Sequence, residues 1–362
     1  MPIYMDRHDV SESVTAEHIA RLHQQDLAIQ HLFGCRGLTY WFDDKRKTAF
    51  CLIEAPNEQA IREMHDYAHG SVPHRVIEVD PDIVESFLGR IEDPEKAQNV
   101  ELNIINDPAF RTIMVIDWQV PASKDPVWRK NGLELLAVTV PAVLAAFNGS
   151  LVKQSHGHFL VSFRNVSNAV HAGLDLQTRF ADIELRPYLK IGISTGVPVT
   201  EKNLIFEEAV RLAQRMTKII KEPIVVSAEV RALYESENPG GLADKKGLCC
   251  LTLADEDFIT RLMDYAEKSW NDMLLKVDDF NREVGYSKPQ LYRKMILLTG
   301  KSPIDFIKEY RLDGAMSLLN KGTGNVSQIA YESGFSSPSY FAKCFQKRYG
   351  LSPTEYLSGR KG

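Results

Sequence analysis

Gly285-Tyr286-Ser287-Lys288-Pro289-Gln290-Leu291 and Gly334-Phe335-Ser336-Ser337-Pro338-Ser339-Tyr340 carry one pattern, Gly-aromatic-Ser-x-Pro, offset by 49 residues. Glycine supplies the backbone freedom of a tight turn, serine caps the helix that follows, and proline fits that helix's first turn. Each pattern follows a short helical stretch, 277–284 and 327–333. Beyond the turns, Leu291 and Met295 in the first unit and Phe341 and Phe345 in the second share an inward face, because residues four apart lie together on a helix. Ile304 to Leu319 is amphipathic and reads as a helix joining the two units. Two helix-turn-helix units in tandem are the predicted arrangement.

The charge of the chain supports a nucleic-acid-binding end. From Lys276 to Gly362 there are 14 Lys and Arg against 8 Asp and Glu, a net of +6, while the whole chain is −5, so the first 275 residues carry −11. A basic module on an acidic body suits a polyanionic partner. The candidate DNA-contacting residues are Lys288, Pro289, Gln290, Tyr292 and Arg293 in the first unit. In the second they are Ser337, Ser339, Tyr340, Lys343 and Lys347. Arginine can bond a guanine edge through two nitrogens, and lysine suits guanine or phosphate.

Composition sets outer limits. The chain has 362 residues, 44% hydrophobic and 25% charged, which excludes collagen-like, disordered and disulfide-scaffold classes. This length accommodates two or three domains of roughly 100–150 residues. No run of about 18 apolar residues marks a membrane span. The start, Met1-Pro2-Ile3-Tyr4-Met5-Asp6, lacks the basic and apolar regions of a signal peptide. The five cysteines (Cys35, Cys51, Cys249, Cys250, Cys344) contain no CxxC and read as reduced thiols. The expectation is a cytoplasmic protein.

Residues 276–357 closely resemble the DNA-binding domain of the AraC/XylS family. The resemblance is carried by Leu291-Tyr292-Arg293-Lys294, Thr299-Gly300-Lys301-Ser302-Pro303, Tyr310-Arg311-Leu312-Asp313-Gly314-Ala315, Ile329-Ala330-Tyr331-Glu332-Ser333-Gly334-Phe335 and Phe345-Gln346-Lys347-Arg348-Tyr349-Gly350-Leu351-Ser352-Pro353. It implies recognition helices entering successive major grooves, about 34 Å apart, on one face of promoter DNA. Family members often carry a larger side chain where Pro289 stands, so the resemblance implies weak base readout there.

The N-terminal segment, 1–80, reads as β-α-β-β-α-β, the ferredoxin-like split pattern. Its strands are 2–7, 38–43, 48–55 and 75–79, and its helices run Thr15 to Leu32 and Glu58 to His69. Ile19, Leu22, Leu27 and Ile29 are the expected inward positions of the first helix. Seven of the ten histidines fall in the first 74 residues. The pattern gathers Asp6, His8, His18, His65, His69 and His74 at one end of the fold. His65 and His69, at i and i+4, share a helix face. The candidate metal ligands are His8, His65 and His69; imidazole suits nickel, copper or zinc. Residues 2–79 resemble a small ferredoxin-like family of unknown function, through Pro2-Ile3-Tyr4-Met5-Asp6-Arg7-His8, Leu38-Thr39-Tyr40-Trp41-Phe42-Asp43 and Phe50-Cys51-Leu52-Ile53-Glu54-Ala55-Pro56. Some of its members bind nickel, so the resemblance puts Ni2+ first.

Residues 81–110, with three prolines, read as a polar connector. Residues 111–254 read as a second α/β segment. They resemble a class III nucleotide cyclase domain through Ile116-Asp117, Phe159-Leu160-Val161-Ser162-Phe163, Gly192-Ile193-Ser194-Thr195-Gly196 and the helix carrying Arg211 and Arg215. Such cyclases hold two metal ions with two aspartates. Asp117 matches the first, but Gly157, between His156 and His158, stands where the second belongs. No catalytic residues are therefore assigned, and no cofactor-binding residues can be named. Such a scaffold could bind a nucleotide or other small ligand, or serve dimerisation.

Residues 255–362 form the all-helical DNA-binding end. The fold class is multidomain, α+β and all-α. The functional expectation is a one-component, homodimeric regulator sensing a metal ion or small effector, and not an enzyme. The alternatives are a nucleotide cyclase fused to a DNA-binding domain and a constitutive regulator whose front half only dimerises.

Overall fold

The computed structural model describes residues 1–94, 102–118, 126–155, 157–180, 189–242, 247–322 and 324–358. At the N-terminal end the elements run β1 (Ile3–Asp9), α1 (Ala16–Ile29), β2 (Arg36–Asp43), β3 (Thr48–Glu54), α2 (Glu58–His69) and β4 (Arg75–Val79), the order expected from the sequence. The strands form one antiparallel sheet, β2-β3-β1-β4. Helices α1 and α2 cover one face with Ile19, Ala20, Ile61 and Met64. The other face, with Met5, Trp41, Phe50 and Leu52, is covered as well. Covering both faces explains why β2 from Leu38 and β3 to Ile53 are buried residue after residue, with no alternation.

What covers that second face corrects the expectation of a polar connector at 81–110. Asp80 caps a helix, α3 (Pro81–Leu88), which ends at Gly89 in the left-handed conformation. Its Val84, Phe87 and Leu88 are buried between the N-terminal sheet and Ile113, Val199 and Phe206 of the next domain. Arg111, 1% exposed, ties the same junction by donating to the carbonyls of Phe87, Leu88, Pro108 and Phe110.

The middle segment continues with β5 (Arg111–Trp118), α4 (Pro126–Ala146), β6 (Ser150–Ser155), β7 (His158–Phe163), α5 (Val166–Arg179), β8 (Leu189–Gly196), α6 (Glu207–Ile219), β9 (Ile224–Val226), α7 (Ala228–Glu237) and β10 (Leu248–Cys250). Its sheet has the order β10-β9-β8-β5-β7-β6, antiparallel except for the β8–β9 and β9–β10 pairs. Helices α4, α5 and α7 pack on one face. Helix α6 packs on the other, so closely that a Cβ on Gly192 would lie 2.3 Å from the Ala213 carbonyl oxygen.

The C-terminal end is helical: α8 (Leu253–Ser269), α9 (Val277–Val284), α10 (Lys288–Thr299), α11 (Pro303–Lys321), α12 (Val326–Glu332), α13 (Pro338–Tyr349) and α14 (Pro353–Ser358). The first helix-turn-helix unit shares a core with the middle domain. Phe280, Val284, Leu291, Met295 and Phe306 join Val115, Met216 and Val225 in one cluster, with α8 between them. The second unit has its own core of Leu312, Ile329, Phe335, Phe341 and Phe345.

Candidate metal centre and nucleic-acid interface

Asp6 stands inside β1, fully buried, and accepts the Cys51 backbone N–H at 2.9 Å. His65 projects from α2 so that Nε2 lies 2.9 Å from Asp6 Oδ2 and Nδ1 lies 3.1 Å from Asp26 Oδ1 of α1. His69, one turn later, is 3.2 Å from the same Asp26 oxygen. His8 Nε2 is 3.5 Å from Asp6 Oδ1 and is buried without a hydrogen bond. Asp6, His8, Cys51 and His65 each offer one ligand atom, all within 4.8 Å of one another. Asp26, His65 and His69 form an overlapping group that shares His65. A cavity of about 490 Å³ opens beside them.

Burying this many ionisable groups costs free energy unless they pair. Burial pushes the Asp6 carboxyl up, but the His8 and His65 imidazoles outweigh it and hold Asp6 well below the usual carboxylate range. Burial opposes charge on His65, yet hydrogen bonds to Asp26 and Asp6 raise it to about 10. Burial drives the Cys51 thiol far up. Once His65 and Cys51 release their protons, the two carboxylates, the thiolate and the imidazoles of His8 and His65 make a donor set that fits a divalent transition metal.

All three histidines named from the sequence, His8, His65 and His69, therefore meet in one place. His18 and His74 lie on the exposed rim of the cavity. Asp26 and Cys51 were missed. Asp26 sits on the inward stripe of α1 with Ile19 and His23, where a search for apolar residues passes over it. Of the other inward positions expected there, Leu22, Leu27 and Ile29 are only half-buried.

The middle domain offers no such cluster among the described residues. Asp117 Oδ1 lies 2.6 Å from His158 Nδ1, where β5 and β7 pair inside the sheet. Gly157 adopts φ +87, and a Cβ there would crowd Leu133 and Trp118. Arg211 and Arg215 are held by Asp264 and Glu267 of α8. His156 lies outside the described residues.

At the basic end, the turns form at Gly285, φ +72, and Gly334, φ +77. Ser287 caps α10, as expected. In the second unit the cap is Ser337, not Ser336, and it accepts from the Tyr340 N–H at 3.3 Å. The second turn is thus one residue longer: the glycines repeat at 49 residues, the caps and the inward pairs Leu291/Met295 and Phe341/Phe345 at 50. This takes Ser337 out of the free outward face. Gln290 is likewise occupied, accepting from Ser287 N and Oγ at 3.0 and 2.7 Å. Lys288 pairs with Asp278 at 2.7 Å, with both side chains exposed. Pro289, Tyr292, Arg293, Ser339, Tyr340, Lys343 and Lys347 are exposed on α10 and α13. Neighbouring Lys294 points the other way, into an ion pair with Asp255 at the start of α8.

Residues 281–359 match the family described as "Helix-turn-helix domain", and residues 4–79 match "Nickel responsive protein SCO4226-like". Histidine kinase P4 of Formosa agariphila is 37% identical over 102 residues, covering 28% of this chain and 7% of that protein. The HTH-type transcriptional regulator MtrA of Neisseria gonorrhoeae is 32% identical over 98 residues, covering 27% of this chain and 31% of that protein. The chain thus spans less than a third of the length of either relative. The crystal structure of SCO4226 from Streptomyces coelicolor A3(2) is 28% identical, with TM-score 0.21, covering 21% of this chain and 94% of that one. This chain carries an AraC-type helix-turn-helix domain at its C-terminal end and an SCO4226-like domain at its N-terminal end.

Proposed function

We propose that the protein is a one-component transcriptional regulator that binds double-stranded promoter DNA and answers to nickel. The observation that carries this is the pairing of two exposed recognition helices, α10 and α13, with a buried carboxylate–imidazole–thiol cluster in the same chain. Arg293, Lys343 and Lys347 are exposed without a carboxylate at ion-pairing distance among the described residues, which leaves them available to bases and phosphates.

The N-terminal strand order supports a ferredoxin-like fold. There Asp6, His8, Cys51 and His65, with Asp26 and His69 beside them, would hold the metal. Bound nickel would supply a charge that reorders these side chains. Regulation needs different nickel affinity in the DNA-binding and non-binding states. The middle domain supports a cyclase-like scaffold with a non-catalytic role. Asp117 is paired to His158, the second aspartate position is Gly157, and the two arginines are spent on α8. We assign it to positioning the first helix-turn-helix unit and to pairing two copies, which would match repeated half-sites.

The test is fluorescence anisotropy of the full chain on duplexes selected from a random pool. Saturable binding with a defined sequence preference, weakened by Arg293→Ala, is the expected result. Binding with no preference would overturn the reading. Incubation with ATP or GTP and manganese should yield no cyclic nucleotide; turnover would restore the cyclase alternative.

A further inference from the structure

A second cavity lies where three parts of the chain meet, and nothing in the DNA-binding or nickel reading uses it. It measures about 730 Å³ and is walled by β4 and α3 on one side, β6 and β7 below, α6 opposite, and Met263 of α8 at the end. Cavities of a few hundred to about 1,000 Å³ at domain junctions, apolar with a few placed polar groups, are the usual form of small-molecule sites.

Its lining separates into two chemistries. The walls are apolar: Ile83, Val152, Leu160, Ile205, Val210 and Met263. Leu204, at the lip, is 67% exposed, which leaves apolar surface facing water. Among the charged groups, Arg211, Arg215, Glu207 and Glu267 of the α6–α8 wall already have polar partners. Glu267 holds Arg211 at 2.7 Å and Arg215 at 2.9 Å, and Glu207 accepts the Leu204 N–H at 3.2 Å. Two cations remain. Lys153 of β6 and Lys218 of α6 are exposed and have no carboxylate at ion-pairing distance among the described residues; Lys218 only lies over the Tyr310 ring, 4.2 Å from its centroid. Three carboxylates on the lining have no ion pair among the described residues: Asp80 accepts the Asp82 and Ile83 N–H groups at the start of α3, Glu207 accepts the Leu204 N–H at the start of α6, and Glu78 is exposed on β4.

The geometry points to a binding site for an amphipathic organic anion, with its apolar body along Ile83, Leu160 and Val210 and its anionic head between Lys153 and Lys218. An uncharged molecule would gain nothing from the two cations, and a fully polar one would leave the apolar walls wet. Each wall belongs to a different part of the chain, so an occupant contacts the N-terminal domain, the middle domain and α8 together.

The experiment is isothermal titration calorimetry of the full chain with decanoate, with decan-1-ol as the uncharged comparison. Saturable binding of one decanoate per chain is expected, at least about tenfold tighter than decan-1-ol. Lys153→Glu, an exposed change outside the core, should weaken decanoate about tenfold and leave decan-1-ol unchanged. Ile83→Trp, which fills the cavity from a half-buried position, should abolish both, with an unchanged circular dichroism spectrum. No saturable heat with decanoate, or equal affinity in wild type, Lys153→Glu and Ile83→Trp, would overturn the site. These readouts do not depend on DNA or nickel, so the assignment stands or falls apart from the regulator reading.

Discussion

Asp6 on β1 and Asp117 on β5 occupy comparable places in two sheets with the same wiring. Each sheet begins β-α-β-β-α-β, and each runs fourth, first, third, second: β4-β1-β3-β2 in one, β8-β5-β7-β6 in the other. Each aspartate meets a histidine. Asp6 is fully buried and meets His65, which is 1% exposed; Asp117 meets His158, whose side chain is 59% exposed. Around Asp6 the helices add Asp26, His69 and a floor of apolar side chains, so its carboxylate is cut off from water and is met by the Cys51 N–H and the His65 imidazole. Around Asp117 the neighbouring turn residue is glycine, and the His158 ring faces solvent while the Asp117 side chain is 14% exposed. Connectivity supplies the position; burial decides whether a carboxylate–imidazole contact becomes a metal-competent cluster or a surface ion pair.

The difference should be largest in stability. Asp6→Asn removes one member of a buried pair and should cost about 3–5 kcal/mol, whereas Asp117→Asn should cost less than about 1 kcal/mol. Urea denaturation of both variants measures this, and equal costs would break the comparison. Nickel binding comes next. His65→Ala combined with His69→Ala should weaken nickel at least about tenfold by calorimetry, while Asp117→Ala combined with His158→Ala leaves it unchanged.

At the DNA end the two units also differ, one sharing the middle domain's core and one with a core of its own. Arg293→Ala should cost about 1–3 kcal/mol of affinity and relax the preference at one base position. An unchanged preference in site selection would remove Arg293 from base readout. The smallest expected effect is the His158–Asp117 pair. Its hydrogen bond raises the His158 pKa, with burial opposing. A raised folded pKa contributes stability that is present below about 6.5 and lost as pH rises through the folded value. Because the imidazole is exposed, the slope should stay below about 1 kcal/mol, and His158→Ala should flatten it in pH-dependent thermal melts.

Much of this was legible in the sequence. The helix-turn-helix units were written twice in turn and cap residues, and His65 and His69 showed their shared face by spacing alone. What escaped did so for identifiable reasons. Asp26 and His23 occupy inward positions of α1 that an apolar template leaves blank. Helix α3 had its signals, Asp80 as cap, Pro81 in the first turn and Gly89 at the end, but a polar, proline-bearing stretch masked them. The second cap fell on Ser337 because two serines in succession offer the turn two registers.

The measurement that tests the central claim most directly is the affinity of the full chain for its selected DNA duplex with and without nickel, by anisotropy at fixed salt. If the cluster around Asp6 is a sensor coupled to α10 and α13, nickel shifts the dissociation constant by at least about fivefold, and the His65→Ala, His69→Ala double variant loses the shift while still binding DNA. An identical dissociation constant with and without nickel, in a protein shown to bind the metal, would contradict it.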